Sequence, residues 1–240
     1  MDNLILAHRG SSGKRPENTK AAFEKAVSDQ ADGVEFDVHL TKDGEIVVIH
    51  DEKVDRTTDG SGYIKDLKLA ELKNLDAGAD EYPEQEILTL RETLEIVKNC
   101  ELINIELKNG VFPYPCLEEK VLKIVEDMKL KQQVIISSFN HYSLKKIKEL
   151  DNDIKTGILY SCGLYEPWVY AQRVGVKAIH PYFLAVNKEI VAKCHYNNIM
   201  VNTYGANDKK DLRNSIEMKV DGIITDFPVR AEKIKNDVNS

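Results

Sequence analysis

The chain has 240 residues, 42% of them apolar and 30% charged, the profile of an ordinary globule with enough apolar side chains for a full core. Its 40 Asp and Glu outnumber its 33 Lys and Arg, for a net charge of -7. With no basic block and no interleaved aromatic and basic stripe, nucleic acid is not an expected partner, and an anionic ligand would need a locally positive site. The four cysteines, Cys100, Cys116, Cys162 and Cys194, are scattered without a CxxC pair, which argues for buried or half-buried free thiols and against a zinc site or disulfide framework. The N-terminus lacks a positive stretch followed by a long apolar one, so the chain reads as cytoplasmic, with no membrane insertion.

In chain order, short β-branched runs alternate with amphipathic stretches of helical period. Strands are predicted at 4–7, 33–38, 102–107, 134–138, 156–160, 178–180, 199–203 and 222–225. Helices are predicted at 19–28, 89–98, 117–129, 142–150, 167–174, 188–196, 209–218 and 230–235. In the fourth of these, Leu144, Ile147 and Leu150 step by three beside Lys145, Lys146 and Lys148, one covered face and one wet face. Eight βα units in a chain this short fit a closed (β/α)8 TIM barrel, with an open doubly wound sheet as runner-up. No GxGxxG or GxxxxGK[ST] loop follows any strand. Residues 1–240 therefore read as a single α/β domain. Its alternation breaks after the second strand, where a hairpin leads into a polar, Gly-dotted insertion at about 52–88 that would emerge at the C-terminal mouth as a lid.

Strand parity sorts the acids. In Val34-Glu35-Phe36-Asp37-Val38 the apolar members suit the helix layer, leaving Glu35 and Asp37 pointing inward; the same rule turns Asn104, Glu106 and Lys108 inward. Three converging carboxylates repel unless a cation joins them, and a hard divalent ion, Mg²⁺ or Ca²⁺ with Mn²⁺ as a third candidate, is the natural answer. The competing reading on parity alone pairs these acids with Lys and Arg as barrel-filling ion pairs.

Asp43-Gly44 reads as a two-residue hairpin loop, so that Lys42 faces Glu45 and paired residue numbers sum to 87. That register sets His50 across from Asp37, and leaves His39 farther out as a solvated residue. His8 and Arg9 follow the first strand at the same mouth, and Gly10 permits a sharp exit. Two histidines with ordinary pKa near ~6.5 can serve as base and acid at neutral pH. A divalent ion with Arg9 and Lys108 suits an anionic phosphoryl group.

At this point the residues resemble a known family. Ala7-His8-Arg9-Gly10, Pro16-Glu17-Asn18-Thr19, Glu35-Phe36-Asp37-Val38, Leu40-Thr41-Lys42-Asp43-Gly44, Val47-Val48-Ile49-His50-Asp51, Asn104-Ile105-Glu106-Leu107-Lys108 and Asp221-Gly222-Ile223-Ile224-Thr225-Asp226 are similar, in this order, to the glycerophosphodiester phosphodiesterases. The resemblance implies a barrel, a catalytic pair His8 and His50, metal ligands Glu35, Asp37 and Glu106, and phosphate contacts from Arg9 and Lys108. It also implies a small glycerophosphodiester substrate cleaved to sn-glycerol 3-phosphate and an alcohol. Glu17 would support the mouth by orienting Arg9; alternatively it is a first-turn carboxylate favoured by a helix dipole. Two departures bear on the substrate wall. Asn202-Thr203-Tyr204-Gly205 stands where the family often has Trp-Thr-Val-Asn, and Phe227-Pro228 where Arg-Pro is common. Tyr204 or Trp168 is expected to supply the aromatic surface.

Two other functions compete. A lysophospholipid-cleaving phosphodiesterase would show an exposed apolar rim at the mouth, against which the polar insertion argues. A silent barrel binding a phosphorylated ligand would lack a histidine or an acid, and this chain lacks none. Oligomeric state is not set by the sequence.

Overall fold

The computed structural model describes residues 3–78 and 82–239. Eight parallel strands form its centre: β1 (Leu4–His8), β2 (Gly33–Leu40), β4 (Leu102–Leu107), β5 (Val134–Ser138), β6 (Lys155–Tyr160), β7 (Ala178–Pro181), β8 (Met200–Tyr204) and β9 (Gly222–Thr225). A ninth, β3 (Ile46–Val48), runs antiparallel beside β2. Because β1 pairs with both β9 and β2, the sheet closes on itself, which removes the open doubly wound alternative.

Every predicted strand is present to within two residues of its ends, and so are the helices up to the last, where Pro228 starts the turn early and the helix runs to Asn239. The helices begin where capping chemistry starts them. Thr19 accepts a hydrogen bond from Ala22 N ahead of α1 (Lys20–Ser28). Beyond the four-residue α2 (Leu69–Leu72), Thr89 and Glu92 form a reciprocal capping box on α3 (Leu90–Val97). Next come α4 (Leu117–Asp127) and α5 (His141–Leu150), the latter capped by Asn140; Leu144 and Ile147 are buried there, while Leu150 is 48% exposed at the last turn. Pro167 opens α6 (Pro167–Val174) from its first turn, Asn187 caps α7 (Lys188–Tyr196), and α8 (Lys209–Glu217) and α9 (Pro228–Asn239) complete the ring.

Parity divides the core as expected. Val34, Phe36, Val38, Ile103, Ile105 and Leu107 pack outward in one continuous apolar cluster with the helices. Their alternates point into the barrel. Low in the lumen, Gly157 leaves room for His180, whose Nε2 would lie 2.4 Å from a Cβ at that position; the Asn202 amide nitrogen reaches the same Nε2 at 3.0 Å.

The hairpin register differs from expectation. His39 pairs with Val47 and Leu40 with Ile46, so partner numbers sum to 86. The cause is a three-residue loop: Thr41 N donates to Glu45 O, and Gly44 adopts φ +82° as the left-handed residue before the returning strand. Asp37 therefore faces Ile49, and His50 lies beyond the end of β3.

The insertion is less polar inside than its composition indicates. Val47 and Ile49 join Val54, Ile64, Leu72, Ala77 and Ile87 in a second apolar cluster, separate from the barrel's. The expected loop at 77–83 is described except for residues 79–81, which lie outside the described residues. Cys100 and Cys194 are buried thiols, whereas Cys116 and Cys162 are exposed, contrary to expectation; all four are free.

Candidate active site

Glu35, Asp37 and Glu106 come from neighbouring strands held in register, Glu35 opposite Asn104 and Asp37 opposite Glu106. All three are buried, and one oxygen from each lies within 4.8 Å of the others. His8, Arg9, Glu35, His50, Glu106 and Lys108 line one cavity of about 320 Å³ at the C-terminal ends of the strands. The ion-pair reading is also part of the geometry. Lys108 Nζ donates to Glu106 Oε1 at 2.8 Å and lies 3.2 Å from Asp37 Oδ1, while Arg9 Nε is 3.5 Å from Asp37 Oδ2.

Those two cations do not neutralise the cluster evenly. Burial works against ionisation of Asp37, but Lys108 and Arg9 hold its carboxyl well below the ordinary range. Burial and the charge of Asp37 push Glu35 well above it; burial raises Glu106 as well, and Asp37 adds to the effect. Carboxylates driven toward protonation in this way fit a divalent cation, which would relieve the repulsion. Unused oxygens are at hand. Asn104 Oδ1 is buried without a hydrogen-bond partner, as is Asp37 Oδ1, whose contact with Lys108 is not aligned as a hydrogen bond. Glu35, Asp37 and Glu106 are the residues that can hold such an ion.

The histidines arrive by different routes. His8 ends β1, and its Nδ1 lies 2.6 Å from Asp226 Oδ1, the residue just after β9; Nε2 is 3.7 Å from Glu35 Oε2. Burial lowers the His8 pKa, but the bond to Asp226 and the charge of Glu35 outweigh it, and the net shift is upward. His50 follows β3 and places Nδ1 2.6 Å from Asp51 Oδ1; burial lowers its pKa, and Lys108 and Arg9 push the same way. The two imidazoles are thus displaced in opposite directions.

His39 is not solvated. It is fully buried, with Nε2 3.0 Å from the His50 carbonyl and Nδ1 3.0 Å from the Tyr114 hydroxyl. A neutral ring donating from Nε2 and accepting at Nδ1 satisfies both contacts, and burial lowers its pKa to about 4. It fixes the backbone of His50 from beneath.

Glu17 accepts from Arg9 Nη1 at 2.9 Å, the contact through which an orienting role would act. It also accepts two bonds from Arg56, whose Nε donates to Asp51 Oδ2 at 2.6 Å. Arg56 therefore ties the insertion to the mouth through Glu17 and to His50 through Asp51. Nothing in the residues around Arg56 marks it beforehand. Asp51 and Asp226 could have been found, one beside a candidate histidine and the other at a strand's C-terminal end.

The expected aromatic wall is present in part. Tyr204 lines the cavity, joined by Phe139 and Tyr182; Trp168 does not, being packed against the outer core. Phe139 lies edge-on to Tyr204 with centroids 6.3 Å apart, and Tyr182 is 5.6 Å from Tyr204. Phe139, Tyr165 and Leu184 are 48%, 87% and 73% exposed on the segments after β5, β6 and β7, at the same end of the barrel. Exposed apolar side chains are thus present at the mouth end, carried by segments other than the insertion.

Comparison with known proteins agrees with this geometry. Residues 8–230 match the model of the glycerophosphoryl diester phosphodiesterase family. A glycerophosphodiester phosphodiesterase of Caldanaerobacter subterraneus is 46% identical over 95% of this chain and 96% of its own length. One of Bacillus altitudinis is 41% identical over 98% of each. Among solved structures, a phosphodiesterase of Oleispira antarctica in complex with the product sn-glycerol-3-phosphate superposes with a TM-score of 0.87 at 31% identity, covering 99% of this chain and 97% of that one. A barrel whose mouth gathers two histidines, three acids and two cations, matched along nearly its whole length by these relatives, belongs to the glycerophosphoryl diester phosphodiesterase family.

Proposed function

We propose that the protein hydrolyses small glycerophosphodiesters to sn-glycerol 3-phosphate and an alcohol, with His8 and His50 as the acid–base pair. The observation that carries this reading is the pairing of two histidines, each held through Nδ1 by an aspartate, in one cavity with a cluster of three buried acids at its wall, Glu35 and Glu106 lining it. With Nδ1 engaged, the remaining ring nitrogen of each is the one free to exchange a proton. Either water attacks phosphorus directly, or a glycerol hydroxyl attacks it to give a cyclic phosphate that a water then opens to sn-glycerol 3-phosphate; in each displacement one histidine takes the proton of the attacking oxygen and the other protonates the departing one. Arg9 and Lys108 bind the non-bridging oxygens, with Glu17 fixing the guanidinium. Glu35, Asp37 and Glu106 hold a divalent ion, Mg²⁺ or Ca²⁺ with Mn²⁺ as a third candidate, which supplies positive charge to the phosphoryl group when bound.

Residues 1–240 act in this reading as one domain with the 52–88 insertion as its lid. The cytoplasm is the assigned compartment, supported by four free cysteines; among the described residues no helix is long and apolar enough to cross a membrane. The test is a panel of glycerophosphodiesters incubated with each ion while sn-glycerol 3-phosphate is followed. Release from glycerophosphoethanolamine or glycerophosphocholine is expected, and no release from any member with any ion defeats the proposal. The exposed side chains of Phe139, Tyr165 and Leu184 favour a second reading, cleavage of lysophospholipids by the same machinery. A lysophosphatidylethanolamine arm in the panel, turned over faster than its deacylated counterpart, would select it.

A further inference from the structure

A second cavity, about 670 Å³ and larger than the catalytic one, lies on the outside of the barrel along α9, between α1 and α8. The two share no lining residue. They are separated by the dipeptide Asp226-Phe227: Asp226 turns inward to His8, and Phe227 lines the outer cleft.

The outer cleft reverses the sign of the molecule. The chain carries a net charge of -7, yet six cationic side chains and only two acids face this space. Lys25 is paired with Asp29, and the Arg230 guanidinium donates to Asn207 O while lying 4.1 Å above the Phe227 ring. Lys14, Lys209, Arg213 and Lys233 have no carboxylate partner among the described residues, and the one remaining acid, Asp237, is exposed with no ion pair. Four unpaired cations from the β1–α1 loop, α8 and α9 thus converge on one concavity. Like charges lining one concavity raise one another's energy where solvent and salt do not fully screen them, and a bound anion relieves that. The floor between them is apolar, made by Phe227, Pro228 and Ile234.

We propose that this cleft is a binding site for an organic phosphate with at least two negative charges and an apolar or planar body. The volume falls within the ~300–1,000 Å³ of small-molecule sites and far exceeds what an isolated phosphate needs. The cations sit on three separate elements, as several phosphoryl oxygens require, while the Phe227–Arg230 stack offers a flat surface. The site is independent of the catalytic reading.

The experiment is equilibrium binding of ATP, a soluble ligand of that chemistry, to the full chain at low and physiological salt. Saturating sn-glycerol 3-phosphate is present throughout to occupy the catalytic cavity. Saturable one-to-one binding is expected, weakened by salt and at least about tenfold weaker in the Lys209→Glu, Arg213→Glu, Lys233→Glu triple variant. These are exposed side chains outside the catalytic machinery, so that variant should keep its melting temperature and basal turnover. Pyrophosphate, which has charge without a body, should bind more weakly than ATP; equal binding would overturn the role given to the apolar floor. No saturable ATP binding at low salt, or unchanged binding in the triple variant, would overturn the site. So would anionic phospholipid vesicles displacing ATP completely at low lipid concentration, since the cleft would then be a membrane contact.

Discussion

Nδ1 of His8 lies 2.6 Å from Oδ1 of Asp226, so a side-chain bond joins the ends of the first and last strands of the barrel, adjacent where the sheet closes. The carboxylate also accepts from Ser12 Oγ at 3.1 Å and Asn207 Nδ2 at 2.5 Å, which fixes its own orientation before it fixes the ring's. Asp226→Asn should leave the barrel folded, since the replacement is isosteric. It removes the anion that selects the His8 tautomer, and kcat should fall by ~10²–10⁴ with a smaller change in KM. Steady-state kinetics beside a circular dichroism spectrum check this.

His50→Ala should keep the fold, because the ring is only partly buried and contributes little to either apolar cluster. Turnover should drop by ~10²–10⁴. A purified variant within threefold of wild type on glycerophosphoethanolamine would remove His50 from the mechanism.

Chelation should abolish activity, and Mg²⁺, Mn²⁺ or Ca²⁺ added back singly should restore it to different extents. Full turnover in excess chelator would leave the crowding of Glu35, Asp37 and Glu106 without the function assigned to it.

Leu72 is fully buried in the insertion's own cluster, away from the substrate cavity. Leu72→Ala should cost ~2–5 kcal/mol within that cluster. The Arg56 bridge from Glu17 to Asp51 would loosen with it, so kcat/KM should fall although no catalytic group has changed. Hydrogen exchange should accelerate in the insertion and stay slow in the barrel strands; uniform acceleration would contradict the separateness of the two cores.

Glu118 gives a pH dependence away from the active centre. It is 2% exposed, and accepts from Asn109 Nδ2 at 2.8 Å and Lys146 Nζ at 3.0 Å. Burial acts to raise its pKa, but hydrogen bonds, Ser143 and Lys146 among them, bring it below the ordinary value. A carboxyl depressed in the folded state adds stability above its unfolded pKa of about 4.3 and loses it as pH falls through the folded pKa. Glu118→Gln should therefore lower the melting temperature at pH 7, and the gap to wild type should close toward pH 3. Thermal scans across that range decide it.

Most of the barrel was legible because alternation in its strands is strict: an acid flanked by Val, Ile or Phe has one face to choose. That rule placed Glu35, Asp37 and Glu106 without error. It failed at the hairpin, where one extra loop residue shifts every partner; the Thr41 to Glu45 bond and the left-handed backbone of Gly44 mark a turn of three residues. His39 was missed because Tyr114, from the segment between β4 and α4, packs against it and its Nε2 meets the His50 carbonyl. Tyr204 was expected at the wall, but Arg56, Phe139 and Tyr182 were illegible for another reason. They depend on which loops meet over the mouth, and periodicity carries no information about that.

The bend after Ile49 makes His50 a tenant of the appendage, whereas its counterpart His8 belongs to the ring. Closure of the ring and the placement of its second histidine are therefore separable inheritances. A lineage that eroded the small appendage would lose His50 and keep the ring with His8, and one that grafted a different appendage would change what faces the cavity from that side.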